Sequence, residues 1–149
     1  MTSLPIPNYA LLNSSRRGLP AVIVVNDALH GFEAKERLPW HLSIAIDPRY
    51  FADQGMPTTD EAELLARFEE QLEESVVVGE NAAFLARVTW NRRRDLHFRV
   101  HDPAVADKAL KDQIASEHQH REWSYEMKED HDWAQADVFF SLLPKAAAR

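Results

Sequence analysis

Imidazole, guanidinium, hydroxyl and carboxylate side chains recur in this chain at alternate positions. His41 and Ser43 are two apart, as are Arg87 and Thr89, the series His97, Arg99 and His101, and the series Glu122, Ser124, Glu126 and Lys128. In an extended chain such residues share one face, so a sheet made from these runs would gather them on one surface. Guanidiniums, and imidazoles that titrate near neutrality, are the groups that hold an anion. His41, Arg87, His97 and Arg99 are therefore the candidate ligand-binding residues. His97 with Glu126, beside Arg99 as an anion clamp, is also a possible acid and base pair. The competing role for all of them is cross-strand ion pairing on a solvated face, worth about 0.2–1 kcal/mol per pair.

No residue is assigned as catalytic. Ser43 has His41 on its own face and Asp47 farther along, but no glycine-flanked elbow presents the hydroxyl. His118 and His120 would lie about 7 Å apart in an extended chain, close enough to share a transition metal. A third ligand would have to come from Glu117, Glu122 or a distant residue, and a closed site needs four donors. A polar connection between a helix and a strand accounts for the pair more simply, and no metal is expected. His97 and His101 lie roughly 13 Å apart in a strand, too far for one ion. No cofactor is expected either. Gly18, Gly31, Gly55 and Gly79 are too dispersed for a phosphate-cradling loop, and the chain has no cysteine.

The elements that must position these groups follow from periodicity. Tyr9 to Asn13 and Ala21 to Asn26 are β-prone runs around Ser14-Ser15-Arg16-Arg17-Gly18, which predicts an amino-terminal hairpin over about 8–26. From Trp40 to Asp47 the chain alternates as a half-buried strand does. Thr58 to Ser75 changes to helical spacing, with Leu64, Leu65, Phe68 and Leu72 on one face and a capping box from Thr58 and Glu61. Its Glu63, Glu69, Glu70, Glu73 and Glu74 read as a solvated surface. Phe84, Ala86, Val88 and Trp90 alternate with Leu85, Arg87 and Thr89, and Leu96, Phe98 and Val100 with His97, Arg99 and His101, predicting a second hairpin. Asp102-Pro103 starts a helix whose buried stripe is Val105, Ala106, Ala109, Leu110 and Ile114. Trp123, Tyr125 and Met127 mark a last strand, and the apolar segment at about 138–144 should dock on the core.

Over the core of about 38–129 the order is strand, helix, strand, strand, helix, strand. It predicts an α+β, ferredoxin-like split βαβ sandwich: an antiparallel four-stranded sheet with two helices on one face and the early hairpin added. The whole of 1–149 reads as one domain. The sheet's other face would be a polar floor that water, another chain or the hairpin must cover.

Composition narrows the function. Lys plus Arg 17 against Asp plus Glu 24 gives a formal charge of −7, which repels phosphate backbones, so nucleic acid is an unlikely partner. RNA recognition on such a sheet also needs exposed aromatic platforms, whereas Trp40, Trp90, Phe98, Trp123 and Tyr125 all fall on the helix-facing side of the predicted strands. If all seven histidines titrate freely, mild acid brings the charge to about zero and solubility should worsen. The longest apolar run, Ala21 to Val25, is far short of the 18 or more residues of a bilayer span, and the first dozen residues do not form a secretory signal. No membrane partner and a cytoplasmic location are expected.

Val24-Val25-Asn26-Asp27-Ala28-Leu29, Leu38-Pro39-Trp40-His41-Leu42-Ser43-Ile44, the Thr58-led acidic helix and the Arg94 to Asp102 strand resemble the bacterial Domain of Unknown Function 695. The likeness runs from about Tyr9 to Pro144. At the second hairpin Trp90-Asn91-Arg92-Arg93-Arg94 stands where the family's turn is usually richer in glycine. Some members are similar in layout to, or joined with, a domain like the regulator of ribonuclease activity B, an inhibitory protein with a ferredoxin-like fold. The resemblance thus implies a regulatory role by analogy. The resulting expectation is a non-catalytic module for interaction with a protein partner or with a second copy. The alternative is a small anionic-ligand-binding protein or minor enzyme using the polar sheet face.

Overall fold

The computed structural model describes residues 3–116 and 119–144. Arg17 and Gly18, both at positive φ, close a tight turn between β1 (Tyr9–Arg16) and β2 (Leu19–Asn26), the handedness that suits the twist of a two-residue hairpin. Then come β3 (Trp40–Ile46), α1 (Thr59–Val76), β4 (Ala82–Trp90), β5 (Arg93–Val100), α2 (Pro103–Ala115), β6 (Trp123–Glu129) and α3 (Ala134–Phe140). Both long helices start at their predicted caps, but the capping box of α1 is half made, because the Thr58 amide donates to the Tyr50 carbonyl and the Glu61 carboxylate accepts from Arg121 and the Arg49 amide. The Thr58 hydroxyl accepts from the Glu61 amide at 3.2 Å, and the Asp102 carboxylate accepts from Ala104 at 2.9 Å. Among the described residues no helix is long and apolar enough to cross a membrane.

The fold is α+β, but the sheet has six strands rather than four. Their order is β1-β2-β4-β5-β3-β6, and every neighbouring pair is antiparallel. The early hairpin does not lie over the polar floor. It lengthens the sheet, because β2 pairs with β4 along Ala21 to Val25.

Both faces of this sheet are packed. Against the first, α1 and α2 bury Leu65, Phe68, Leu72, Ala106 and Leu110 on Leu42, Ile44, Leu96, Phe98 and Val100. Of the stripe predicted for α2, only Ala106 and Leu110 are buried, while Val105 and Ile114 are exposed. Against the second face, α3 and the loop before β3 bury Leu29, Phe32, Leu38, Trp133, Phe139 and Phe140 on Ala21, Ile23, Val25, Ala86 and Val88.

A β-bulge decides which residues of β4 see which face. Phe84 pairs with Phe98, but Ala86 pairs with the next residue back, His97, so Leu85 is an extra residue in the ladder. Beyond it the alternation predicted for β4 is inverted. Ala86, Val88 and Trp90 pack on the second face, whereas Arg87 and Thr89 turn toward α1. The placement of Trp90 with the helix-facing aromatics is corrected accordingly.

Candidate functional site

The polar groups on the second face are brought together by the β3–β5 ladder, where His41 is paired with Arg99 and Ser43 with His97. These alternate rungs, with the Leu42–Phe98 rung between them facing the other way, put all four side chains on one side and in contact. His41 Nε2 lies 3.0 Å from His97 Nδ1, and Ser43 Oγ lies 3.3 Å from the same nitrogen. Arg99 Nη1 lies 3.3 Å from His41 Nδ1. A guanidinium only donates, so His41 accepts at Nδ1 and carries its proton on Nε2, from which it donates to His97. His97 therefore accepts at Nδ1 and carries its own proton on Nε2.

Arg99 is 0% exposed, and a charge so placed must be paired. Asp130, which directly follows β6, supplies the pairing. Arg99 Nη1 donates to Asp130 Oδ2 at 2.8 Å, and Nη2 donates to the Asp130 carbonyl at 2.8 Å and the Leu38 carbonyl at 3.0 Å. The indole of Trp133 closes the site, with the guanidinium carbon 4.4 Å from its ring centroid. Trp133 is itself buried and adopts φ 59°, a left-handed conformation unusual for a bulky side chain, held by Nε1 donating to the Lys35 carbonyl at 3.0 Å.

The electrostatics follow from this burial. Burial, then the neighbouring His97 and Arg99, push His41 down to about 3, and burial pushes His97 down to about 4. Both imidazoles are thus neutral at pH 7. Burial works to raise the Asp130 carboxyl. The Gln135 amide, Arg99 and the Ala134 amide outweigh it and hold the group below the usual carboxylate range. Burial lowers Arg99, with Asp130 opposing.

One end of this network lines an opening. Ser43 and His97 line a depression of about 390 Å³, together with Arg93, Asp95, Ser124 and Glu126, where β3, β5 and β6 run out from under α3. An imidazole that takes up a proton only near pH 4 is a poor general base at neutrality. Ser43 has hydrogen-bond reach to that imidazole but no carboxylate behind it, because Arg99 and His41 stand between His97 and Asp130. Among the described residues no cluster of three or more His, Cys, Asp or Glu side chains could hold a metal ion. His120 packs edge-on against Phe68, and His118 lies outside the described residues.

Three of the four predicted ligand-binding residues, His41, His97 and Arg99, are therefore together, and Arg87 is not with them. The bulge turns Arg87 to the first face, where it donates to Glu69 Oε2 of α1 at 2.7 Å. Glu69, predicted to be solvated, is buried there between Arg87 and Arg94, whose Nη1 donates to Thr89 at 2.9 Å. Sequence reasoning missed Asp130 and Trp133. The signal for Asp130 is an aspartate four residues before a short apolar helix, where its carboxylate accepts from the first helical amides. Its pairing with Arg99 spans 31 residues and leaves no local trace.

The model of a family of unknown function, DUF695, matches residues 9–143, and the chain belongs to that family. No curated protein and no solved structure matches it.

Proposed function

We propose that this member of the DUF695 family is a non-catalytic protein-interaction module. Its contact surface is the part of the second sheet face that α3 leaves open, over β3 and the edge strand β6. The order β4-β5-β3-β6, with α1 and α2 as the two crossovers, supports a ferredoxin-like split βαβ core lengthened by the hairpin. The likeness in layout to an inhibitory ribonuclease regulator points toward regulation by analogy.

One observation carries the reading. The cation that an anionic substrate would need, Arg99, has both terminal nitrogens committed to Asp130, Leu38 and His41 and no exposed surface. The open depression beside it carries Asp95 and Glu126 against a single arginine, Arg93, a balance that does not favour an anion. Arg87 is spent on Glu69 on the other face. What remains accessible is a shallow polar strip of Ser124, Glu126 and Lys128 beside Ser43 and Ala45, bordered by a strand whose outer backbone has no partner in the sheet.

The test is capture from a native lysate with the unaltered chain and with a Ser43→Arg, Ser124→Arg, Glu126→Arg variant. The expected result is a partner, or a second copy seen by sedimentation, that the variant loses. Unchanged capture by the variant, or binding of small anions that His97→Ala abolishes, would overturn the proposal in favour of the ligand-binding alternative.

A further inference from the structure

A different surface, on the opposite face of the sheet, carries an inference that does not depend on the one above. Packed helices lie about 8–10 Å apart and strands about 4.8 Å apart, so two helices cover about four strands. This sheet has six strands and, among the described residues, only α1 and α2 on its first face. The uncovered part is the hairpin, where Tyr9 and Leu11 of β1 are 57% and 65% exposed on the same side as Val24. Tyr9, Leu11, Val24 and Phe84 floor a groove of about 370 Å³ whose wall is the flank of α1, with Glu69 and Glu73.

The two carboxylates differ. Glu69 is matched by Arg87 and Arg94. Glu73 is half-buried, its carboxylate has no ion pair or hydrogen bond among the described residues, and Glu70 and Glu74 stand beside it on the same helix. Burial and the carboxylates of Glu69, Glu70 and Glu74 raise its pKa, while Arg87, which also lines the groove, acts the other way without offsetting them. The groove therefore combines an apolar floor one helix wide with a wall on which Glu69 and Glu73 face one cation, Arg87, already paired with Glu69, so that a negative charge is left over at Glu73.

We propose that this groove docks a basic amphipathic helix of a partner protein, laid beside α1 as a third helix. Its apolar side rests on Tyr9, Leu11 and Val24, and a lysine or arginine reaches Glu73. The pattern is that of helix-in-groove recognition, in which apolar anchors supply area and charge fixes orientation.

The probe is a fluorescently labelled 16-residue helical peptide of leucine and lysine, titrated by anisotropy against the full chain at physiological salt. Leu11→Ser and Glu73→Gln, both at positions that support no core contact, should each weaken binding at least fivefold. Glu33→Gln with Glu36→Gln, which removes two exposed charges from the loop before β3, should change it less than twofold. A leucine and glutamate peptide should not bind. Affinity of the Leu11→Ser and Glu73→Gln chains equal to that of the unaltered chain, or an effect of the double-glutamine control as large as theirs, would overturn the proposal. So would self-association that Leu11→Ser abolishes, which makes the occupant a second copy. Saturable binding of decyltrimethylammonium that the peptide does not displace would make it a small cation and would overturn the proposal equally.

Discussion

At the scale of single residues, the second face is organised around a buried cation. Arg99 is tolerated because Asp130 balances it, and Asp130 also receives the Ala134 and Gln135 amides at the start of α3. Asp130→Ala leaves the guanidinium buried without its counter-charge and uncaps the helix. It should cost about 3–5 kcal/mol. Arg99→Met leaves an aspartate that still holds two amides, and should cost less by at least about 1 kcal/mol. Urea unfolding of the two variants gives the comparison, and equal losses would mean that Asp130 acts only as a cap. The imidazoles add a pH dependence whose sign is fixed by their depressed pKa values. In the unfolded chain both titrate near 6.5, whereas in the fold His97 stays neutral to about 4 and His41 to about 3. Below pH 6.5 the unfolded chain binds the extra protons, so stability is lost as pH falls, by up to about 3 kcal/mol per pH unit until about pH 4. The loss due to these residues is the difference in slope between the unaltered chain and a His41→Gln, His97→Gln variant. Parallel slopes would show that the two imidazoles are not held neutral. The contact among His41, Ser43, His97 and Arg99 was legible in the sequence, because period-2 spacing in two paired strands permits only a few registers. The burial of Arg99 was not, since an arginine at an alternating position reads as solvent-facing until its distant carboxylate is known.

At the scale of elements, the bulge is what separates Arg87 from the residues it was expected to join. An extra residue in a strand preserves every local propensity and leaves the hydrophobic pattern nearly intact, because Leu85 and Ala86 are both apolar. Alternation alone therefore does not locate it, and the inversion becomes visible only through the Ala86 to His97 register. Deleting Leu85 should give a regular ladder with Arg87 still facing Glu69. The cost is the packing of one buried leucine, about 2–5 kcal/mol. Deleting Val88 instead reverses the faces of one end of β4 and should prevent folding. Amide exchange and near-ultraviolet dichroism of the two deletions decide the matter; a folded Val88 deletion would show that the register is not held by the bulge. The second hairpin shows the opposite kind of departure. Its turn lacks glycine, yet Asn91 and Arg92 take φ 46° and 65°. The Arg92 amide donates to the Gly55 carbonyl at 2.9 Å, and its guanidinium stacks over Phe51 at 4.3 Å. The glycine that the turn lacks is found across from it, where a Cβ on Gly55 would meet the Arg92 nitrogen at 3.1 Å.

At the scale of the molecule, the expectation of one covered sheet face and one polar floor holds only toward β6. Toward β2 the second face is covered as well, by α3 and the loop before β3, and the sequence did carry the sign of this. Ala21 to Val25 is an unbroken apolar run rather than an alternating one, as befits a strand with apolar residues on both faces. Its cover, Trp133, Phe139 and Phe140, comes from the far end of the chain, and nothing local connects the two. Burial on the second face also changes the charge of the whole protein. With His41 and His97 held neutral to about 3 and about 4, the five other histidines cannot bring a chain of formal charge −7 to zero in mild acid. The fall in solubility expected from seven free imidazoles should therefore be smaller. The folded protein should also focus at a lower pH than the same chain in urea, where both groups protonate near 6.5. A His41→Gln, His97→Gln variant separates this from every other charge: it should shift the isoelectric point of the urea-unfolded chain downward and leave that of the folded chain where it was. A shift of the folded band by the same amount would mean that both histidines protonate in the native protein, and the second face would then be open to water rather than sealed by α3.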